Sequence, residues 1–145
     1  MEYDNLKLEN QLCHRFYIAT NAITRSYRLL LDALDLTYPQ YVVLMALWEQ
    51  DNVSISDILE RTKIDGGSLT QILNKLVIKK LIQLNPSKED KRKKQVLLTN
   101  KGQKLKVKSK EVPEAMSCKI TSLDNDDILK LIELLDKING DLQKD

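Results

Sequence analysis

Residues 54–99 string together a helix-start signal, a glycine-containing turn, an amphipathic helix and two short β-type runs, an order that few folds accommodate. Ser54-Ile-Ser-Asp57 is a start signal for a short helix, SDILERT, because a serine hydroxyl can accept from the first free backbone N–H groups. Lys63-Ile-Asp-Gly-Gly67 then supplies a turn,. A further helix is predicted from about Gly67 to Lys80, with Leu69, Ile72, Leu73, Leu76 and Val77 on its apolar side and Ser68, Thr70, Gln71, Asn74 and Lys75 on the other,. A short helix, a tight turn and a helix with a small, hydrogen-bonding outer face form the helix-turn-helix pattern, whose second helix enters the DNA major groove. A plain three-helix bundle has the same periodicity. The next segment separates the two, since Leu81-Ile-Gln-Leu84 and Gln95-Val-Leu-Leu-Thr99 flank the loop NPSKEDKRKK. A basic hairpin directly after such a helix is a wing, able to track phosphates or reach the minor groove. Ser68, Thr70, Gln71 and Asn74 are therefore the candidates for base edges and nearby phosphates. Lys75, Lys88, Lys91, Arg92 and Lys93 are the candidates for phosphate and minor-groove contact.

Charge agrees with this placement. The net charge of +2 is uninformative, but residues 86–110 hold ten Lys or Arg against Glu89 and Asp90, a net +8 that leaves the remainder at −6. A local basic patch on an otherwise acidic chain is an electrostatic footprint for phosphate. No apolar run approaches the roughly 20 residues of a membrane helix, and MEYDNLKLEN has neither a basic nor an apolar leader segment,. Two sparse cysteines fit a reducing cytoplasm, where a disulfide acts as a switch and not as a staple,.

Both flanks of the lobe are helical. Residues 6–34 place Leu8, Leu12, Phe16, Ala19, Ile23, Tyr27 and Leu30 at three- and four-residue steps, which predicts one long helix,. Thr37-Tyr-Pro-Gln40 is a capping box with proline tolerated in the first turn, and the buried helix YVVLMALWE follows,. Thr99 caps a helix beyond the wing, Pro113 breaks it, and Asp124 opens a last helix carrying Ile128, Leu131, Ile132, Leu135 and Ile138,. These terminal faces exceed what one small winged domain needs. The expectation is a mainly α fold with a small β-hairpin wing, a single domain over 1–145. In it, 37–110 form the winged helix-turn-helix lobe, and 1–36 and 111–145 form dimerisation helices matched to palindromic DNA.

One of the two cysteines, Cys13, stands beside the only histidine, His14. Adjacent helical residues point about 100° apart, so this pair is not a nucleophile–base dyad. Two cysteines and one histidine at scattered positions also give no metal-ligand spacing, and no cofactor motif is present,. Cys13 by itself fits a small hydrophobe at the edge of the apolar stripe.

The chain resembles the MarR family of winged helix-turn-helix regulators over essentially its whole length. The resemblance lies in SISDILERTKIDGGSLTQILNKLVIKKLI, in Asp90-Lys91-Arg92, and in VLLTNKG, which together give Asp-x-Arg ahead of L-T-x-x-G. LENQLC, ITRSYRLLLDALDLTYPQY and ALWE are similar to the organic hydroperoxide sensor (OhrR-type) subgroup. That resemblance implies a peroxide-reactive Cys13, Tyr27 and Tyr38 hydrogen-bonding it from the partner subunit, Cys118 as a resolving thiol, and Asp90 as a brace of the wing. His14-Arg15 departs from the usual apolar residue and becomes a modifier of the thiol pocket. If residues 13–27 are one helix, fourteen steps of 1.5 Å separate Cys13 from Tyr27 by roughly 21 Å, so any contact requires a second chain. The implied protein is a homodimeric repressor that binds pseudo-palindromic promoter DNA when reduced and leaves it when an organic hydroperoxide oxidises Cys13. Oxidised Cys13 then pairs with Cys118 or with a small thiol. Release by a small phenolic ligand and a thiol peroxidase activity are the competing readings.

Overall fold

The computed structural model describes residues 1–144, which form two compact units, Met1–Val112 and a second from Pro113 onward. The first unit runs α1 (Leu12–Leu31), α2 (Tyr38–Glu49), β1 (Val53–Ser54), α3 (Ile55–Thr62), α4 (Gly66–Ile78), β2 (Ile82–Pro86), β3 (Lys94–Leu98) and α5 (Asn100–Ser109). Beyond it lie α6 (Val112–Ser117), which starts at the boundary, and α7 (Asn125–Leu142). No helix among the described residues is long and apolar enough to cross a membrane.

The start signals hold. Thr37 and Gln40 close a reciprocal capping box on α2, and Ser54 with Asp57 and Asp124 with Asp127 do the same on α3 and α7. Each box satisfies two backbone donors that a helix N-terminus would otherwise leave open. The predicted helix over 6–34 is shorter in the structure. Residues 4–10 form two 3-10 turns, and Asp32–Leu34 form a third. At the N-terminal end the cause is side-chain competition: Asn10 Nδ2 donates to the Asp4 carbonyl at 2.7 Å, Gln11 Nε2 to that of Lys7 at 3.0 Å, and Arg15 Nη1 to that of Leu8 at 2.7 Å. These polar groups offer the backbone an alternative to the helical ladder.

The turn between α3 and α4 also differs from expectation. Its left-handed residue is Lys63 (φ 56°), whereas Gly66 and Gly67 already belong to α4, which Asp65 caps. Leu69, Leu73 and Leu76 of α4 are buried as predicted, but Val77 is exposed.

The wing has a third strand that periodicity did not reveal. β1 is two residues long and pairs antiparallel with β3, Val53 opposite Val96, while β2 pairs with the other edge of β3, Leu84 opposite the same Val96. A two-residue strand is below the length at which alternation shows. The core beneath it is continuous: Val43, Leu44 and Leu47 of α2 meet Ile58, Leu69, Leu73, Leu76, Ile82 and Val96, all essentially inaccessible to solvent. Burying each such side chain contributes about 1.5–3 kcal/mol.

Gly102 seats α5 on this core. Its carbonyl accepts from Trp48 Nε1–H at 3.0 Å, and a Cβ added there would lie 2.1 Å from the Leu81 carbonyl oxygen. Because that obstacle is backbone, Gly102→Ala should destabilise by about 3 kcal/mol. Urea unfolding monitored by Trp48 fluorescence measures this, and an unchanged midpoint would contradict the close packing.

Candidate thiol–tyrosine site and nucleic-acid face

Cys13 is the second residue of α1, and Tyr27 lies in the same unbroken helix. At 1.5 Å per residue their separation is roughly 21 Å along the axis. Within one chain they do not meet. Tyr27 and Tyr38 do: their rings stand 4.4 Å apart, brought together because the α1–α2 turn folds Tyr38, the first residue of α2, back against the last turns of α1. The turn is made by Asp35 in the left-handed conformation (φ 53°) and by Leu36 N–H bonding back to the Leu31 carbonyl at 3.2 Å.

Tyr41 joins this pair and was not singled out from the sequence. It is 2% exposed, and its ring lies 6.3 Å from Tyr27, 6.5 Å from Tyr38 and 6.2 Å from Trp48. The available signal was its place three residues after Tyr38 in TYPQY, on the same face of α2,. Burial pushes the Tyr27 phenol above its ordinary value, with Tyr38 adding to it. Burial does the same to Tyr41, with Tyr27 and Tyr38 adding. Both phenols therefore remain protonated at neutral pH and keep an O–H to donate. A cavity of about 340 Å³ opens beside Tyr38, lined by Thr24, Arg28, Asp32, Leu36, Thr37 and Pro39.

Both thiols are free and exposed. Cys118 follows α6 in the second unit, where its N–H bonds the Glu114 carbonyl at 2.9 Å. His14 is half-buried and its ring stacks on that of Tyr17 at 6.4 Å, so it packs along α1. No group of three or more His, Cys, Asp or Glu among the described residues could hold a metal. The α1 stripe is largely unburied in the single chain: Leu12 is 64% and Ile23 41% exposed, and in α7 Leu131 and Ile132 are 45% and 50% exposed.

Ser68, Gln71, Asn74 and Lys75 line the exposed face of α4. Thr70 is exposed as well, but its hydroxyl donates to the Gly66 carbonyl at 3.0 Å, which leaves it only acceptor capacity,. The Asp65 carboxylate accepts from Ser68 N–H at 2.9 Å, and hydrogen bonds from Ser68 hold that carboxyl below its usual range. A carboxylate thus already stands at the start of α4, where it meets the positive end of the helix,. In the wing, Asp90 Oδ1 accepts from Arg92 N–H at 3.0 Å, and the Asp90 carbonyl accepts from Lys93 N–H at 3.0 Å. Asp90 braces the turn through backbone, which frees the side chains of Lys88, Lys91, Arg92 and Lys93, all exposed.

An α3–turn–α4 pair followed by a sheet-anchored basic hairpin defines a winged helix-turn-helix protein. The MarR family model matches residues 34–93. The chain is 38% identical over 112 residues to the organic hydroperoxide resistance transcriptional regulator of Bacillus subtilis, covering 77% of this chain and 76% of that protein. Its fold matches the structure of reduced AbfR bound to DNA, a Staphylococcus epidermidis protein, with TM-score 0.78 and 27% identity over 98% of this chain and 99% of that one. It also matches Bordetella bronchiseptica BpsR, whose DNA binding is regulated by 6-hydroxynicotinic acid, with TM-score 0.85 and 25% identity over 92% and 96%. The chain belongs to the MarR family, and it is a transcriptional regulator and not an enzyme.

The raised tyrosines have a consequence in alkali. A phenol whose pKa is higher in the folded state than the ordinary 10.0 stabilises the fold below pH 10 and loses that contribution as pH rises through the folded value,. Urea-unfolding free energies measured from pH 9 to 11 should fall more steeply for the wild type than for Tyr27→Phe. Parallel curves would show that Tyr27 ionises freely.

Proposed function

We propose that this protein is a redox-sensing transcriptional repressor of the cytoplasm, which binds pseudo-palindromic promoter DNA as a homodimer while Cys13 is reduced. The observation that carries the reading is the Tyr27–Tyr38 ring pair at 4.4 Å, with Tyr38 lining a cavity, while Cys13 of the same chain is roughly 21 Å away along the helix,. An antiparallel pairing of two α1 helices about a two-fold axis buries the exposed Leu12 and Ile23. It also brings each Cys13 to the partner's tyrosines,. Donors aimed at a sulfur favour the reactive thiolate.

In the reaction, the Cys13 sulfur attacks the terminal peroxide oxygen. The O–O bond breaks, the alcohol leaves with a proton, and Cys13 becomes a sulfenic acid. Condensation with the Cys118 thiol, or with a small cellular thiol, releases water and forms a disulfide that a dithiol can reverse. The new bond alters the spacing of two recognition helices that must sit about one DNA turn apart, and binding is lost. Ser68, Thr70, Gln71 and Asn74 read bases and nearby phosphates. Lys75, Lys88, Lys91, Arg92 and Lys93 hold the backbone or the minor groove.

A second reading, release by a small acidic aromatic ligand, is favoured by one feature. A cavity of about 540 Å³ has Leu34, Leu81 and Leu105 on its apolar wall and Lys79, Lys101, Lys104 and Lys108 around it. Cys13→Ser separates the two. In a gel shift on a duplex selected from a random pool by the reduced protein, the mutant should stay bound after cumene hydroperoxide treatment that displaces the wild type. Its departure from DNA under peroxide would end the redox reading.

A further inference from the structure

We infer that Lys79 is a positioning residue that couples the tyrosine pair to the recognition helix, an inference that rests on the redox reading above. Lys79 is the C-cap of α4, the place where a cation ordinarily neutralises the helix's own last carbonyls,. Its ammonium reaches back instead to the α1–α2 turn. There it donates to the Asp35 carbonyl and, at 3.1 Å, to Gln40 Oε1, with the Asp35 carboxylate 3.5 Å away. The Gln40 end of the junction is covered, with the Lys79 side chain 25% and Gln40 only 3% exposed, whereas the Asp35 side chain stands at the surface at 90%.

Gln40 Oε1 is a shared acceptor. The same oxygen takes Thr37 N–H at 3.2 Å, completing the capping box whose first helical residue is Tyr38. The chain of contacts therefore runs from the Tyr27–Tyr38 ring pair, through the Thr37–Gln40 cap, to Lys79 and into α4. On its far side the end of α4 is tied again, since Lys101 Nζ donates to the Lys79 carbonyl at 2.9 Å and Thr99 Oγ1 to the Lys80 carbonyl at 2.6 Å. Asp35 and Lys80, which flank the junction, both hold left-handed backbone (φ 53° and 60°). Two tight turns thus meet at Lys79, one at its ammonium and the other at its backbone.

The mechanical consequence comes from helix stiffness. α4 has 13 residues, about 20 Å of rigid rod, with Lys79 at one end and Ser68 near the other,. A partner sulfur that stops accepting from Tyr27 or Tyr38 changes the position of the ring pair, and the cap that begins at Tyr38 moves with it. Lys79 then either follows Gln40, tilting α4, or lets go of it. In both cases the outer face of α4 changes its presentation without any contact between the thiol and the DNA-binding side chains. Coupling is carried by a polar junction with discrete partners, a two-state element of the kind that links distant sites.

The test uses the full-length dimer, a fluorescent duplex selected from a random pool by the reduced wild type, and cumene hydroperoxide as oxidant. The wild type should lose affinity about tenfold or more on oxidation, within the usual range of coupling between sites. Lys79→Met should form sulfenic acid on Cys13 at the wild-type rate, read by dimedone capture and mass spectrometry. Its oxidised and reduced affinities should agree within about twofold. Lys79→Arg, which restores a cation able to reach the turn, should recover the difference. A Lys79→Met protein with the full wild-type difference overturns the coupling alone, whereas a wild type indifferent to oxidation overturns the redox reading and the coupling with it. Hydrogen exchange on the wild type keeps the question open to refutation if the variants fold poorly. Oxidation should raise exchange at Gln40–Tyr41 and at Lys79–Leu81 together, and unchanged exchange at both while DNA is lost would refute the role of Lys79.

Discussion

A helix of 20 residues does not bend Cys13 onto Tyr27. The rise per residue is fixed by the backbone hydrogen-bond ladder, so two groups fourteen positions apart stay about 21 Å apart whatever surrounds them. The tyrosines are gathered at one end of α1 by the turn at Asp35 and the cap at Thr37, and the thiol is kept at the other. An apolar stripe between them is left exposed in the single chain. Each of these features is awkward for a monomer. In the proposed dimer a second copy running antiparallel would resolve all three, since covering the stripe in that way would also deliver a sulfur to the phenols.

Seven of the ten basic residues of segment 86–110 fall into two groups with different neighbours. Lys88, Lys91, Arg92 and Lys93 belong to the wing loop, held out by an Asp90 brace built from backbone hydrogen bonds. Lys101, Lys104 and Lys108 sit one to two turns apart on α5, where with Lys79 they border an apolar-walled cavity. Only the first group faces outward from a strand-anchored hairpin in the manner of a phosphate-tracking wing. A single net charge for residues 86–110 hides this division, since charge counts carry no direction.

Much of the fold was legible because it is locally encoded. Three capping boxes, the α3–α4 pair, the hairpin and the Thr99 start all stand where residue chemistry places them. What was not legible was decided by contacts remote in sequence or by side chains competing with the ladder. The strand at Val53–Ser54 exists only because β3 offers an edge forty residues on. The long N-terminal helix stops short because Asn10, Gln11 and Arg15 bond nearby carbonyls. At the site, Tyr27 and Tyr38 were identified by resemblance, and the structure adds that they touch. Tyr41 and Lys79 escaped notice because an aromatic and a lysine on helices read as ordinary packing and ordinary surface. Their roles depend on a turn, at Asp35, that contains no glycine to advertise it.

Mixed dimers decide whether each Cys13 is served by the other subunit's Tyr27. A dimer of one Cys13→Ser chain with one Tyr27→Phe chain retains a single thiol. If the tyrosine acts across the interface, that thiol faces an intact Tyr27, and its rate of sulfenic acid formation with cumene hydroperoxide should equal the wild-type rate per site. A dimer of wild type with a doubly substituted Cys13→Ser, Tyr27→Phe chain leaves its thiol facing phenylalanine, and should react about tenfold slower. The opposite ordering, with the first dimer slow and the second fast, would contradict the account.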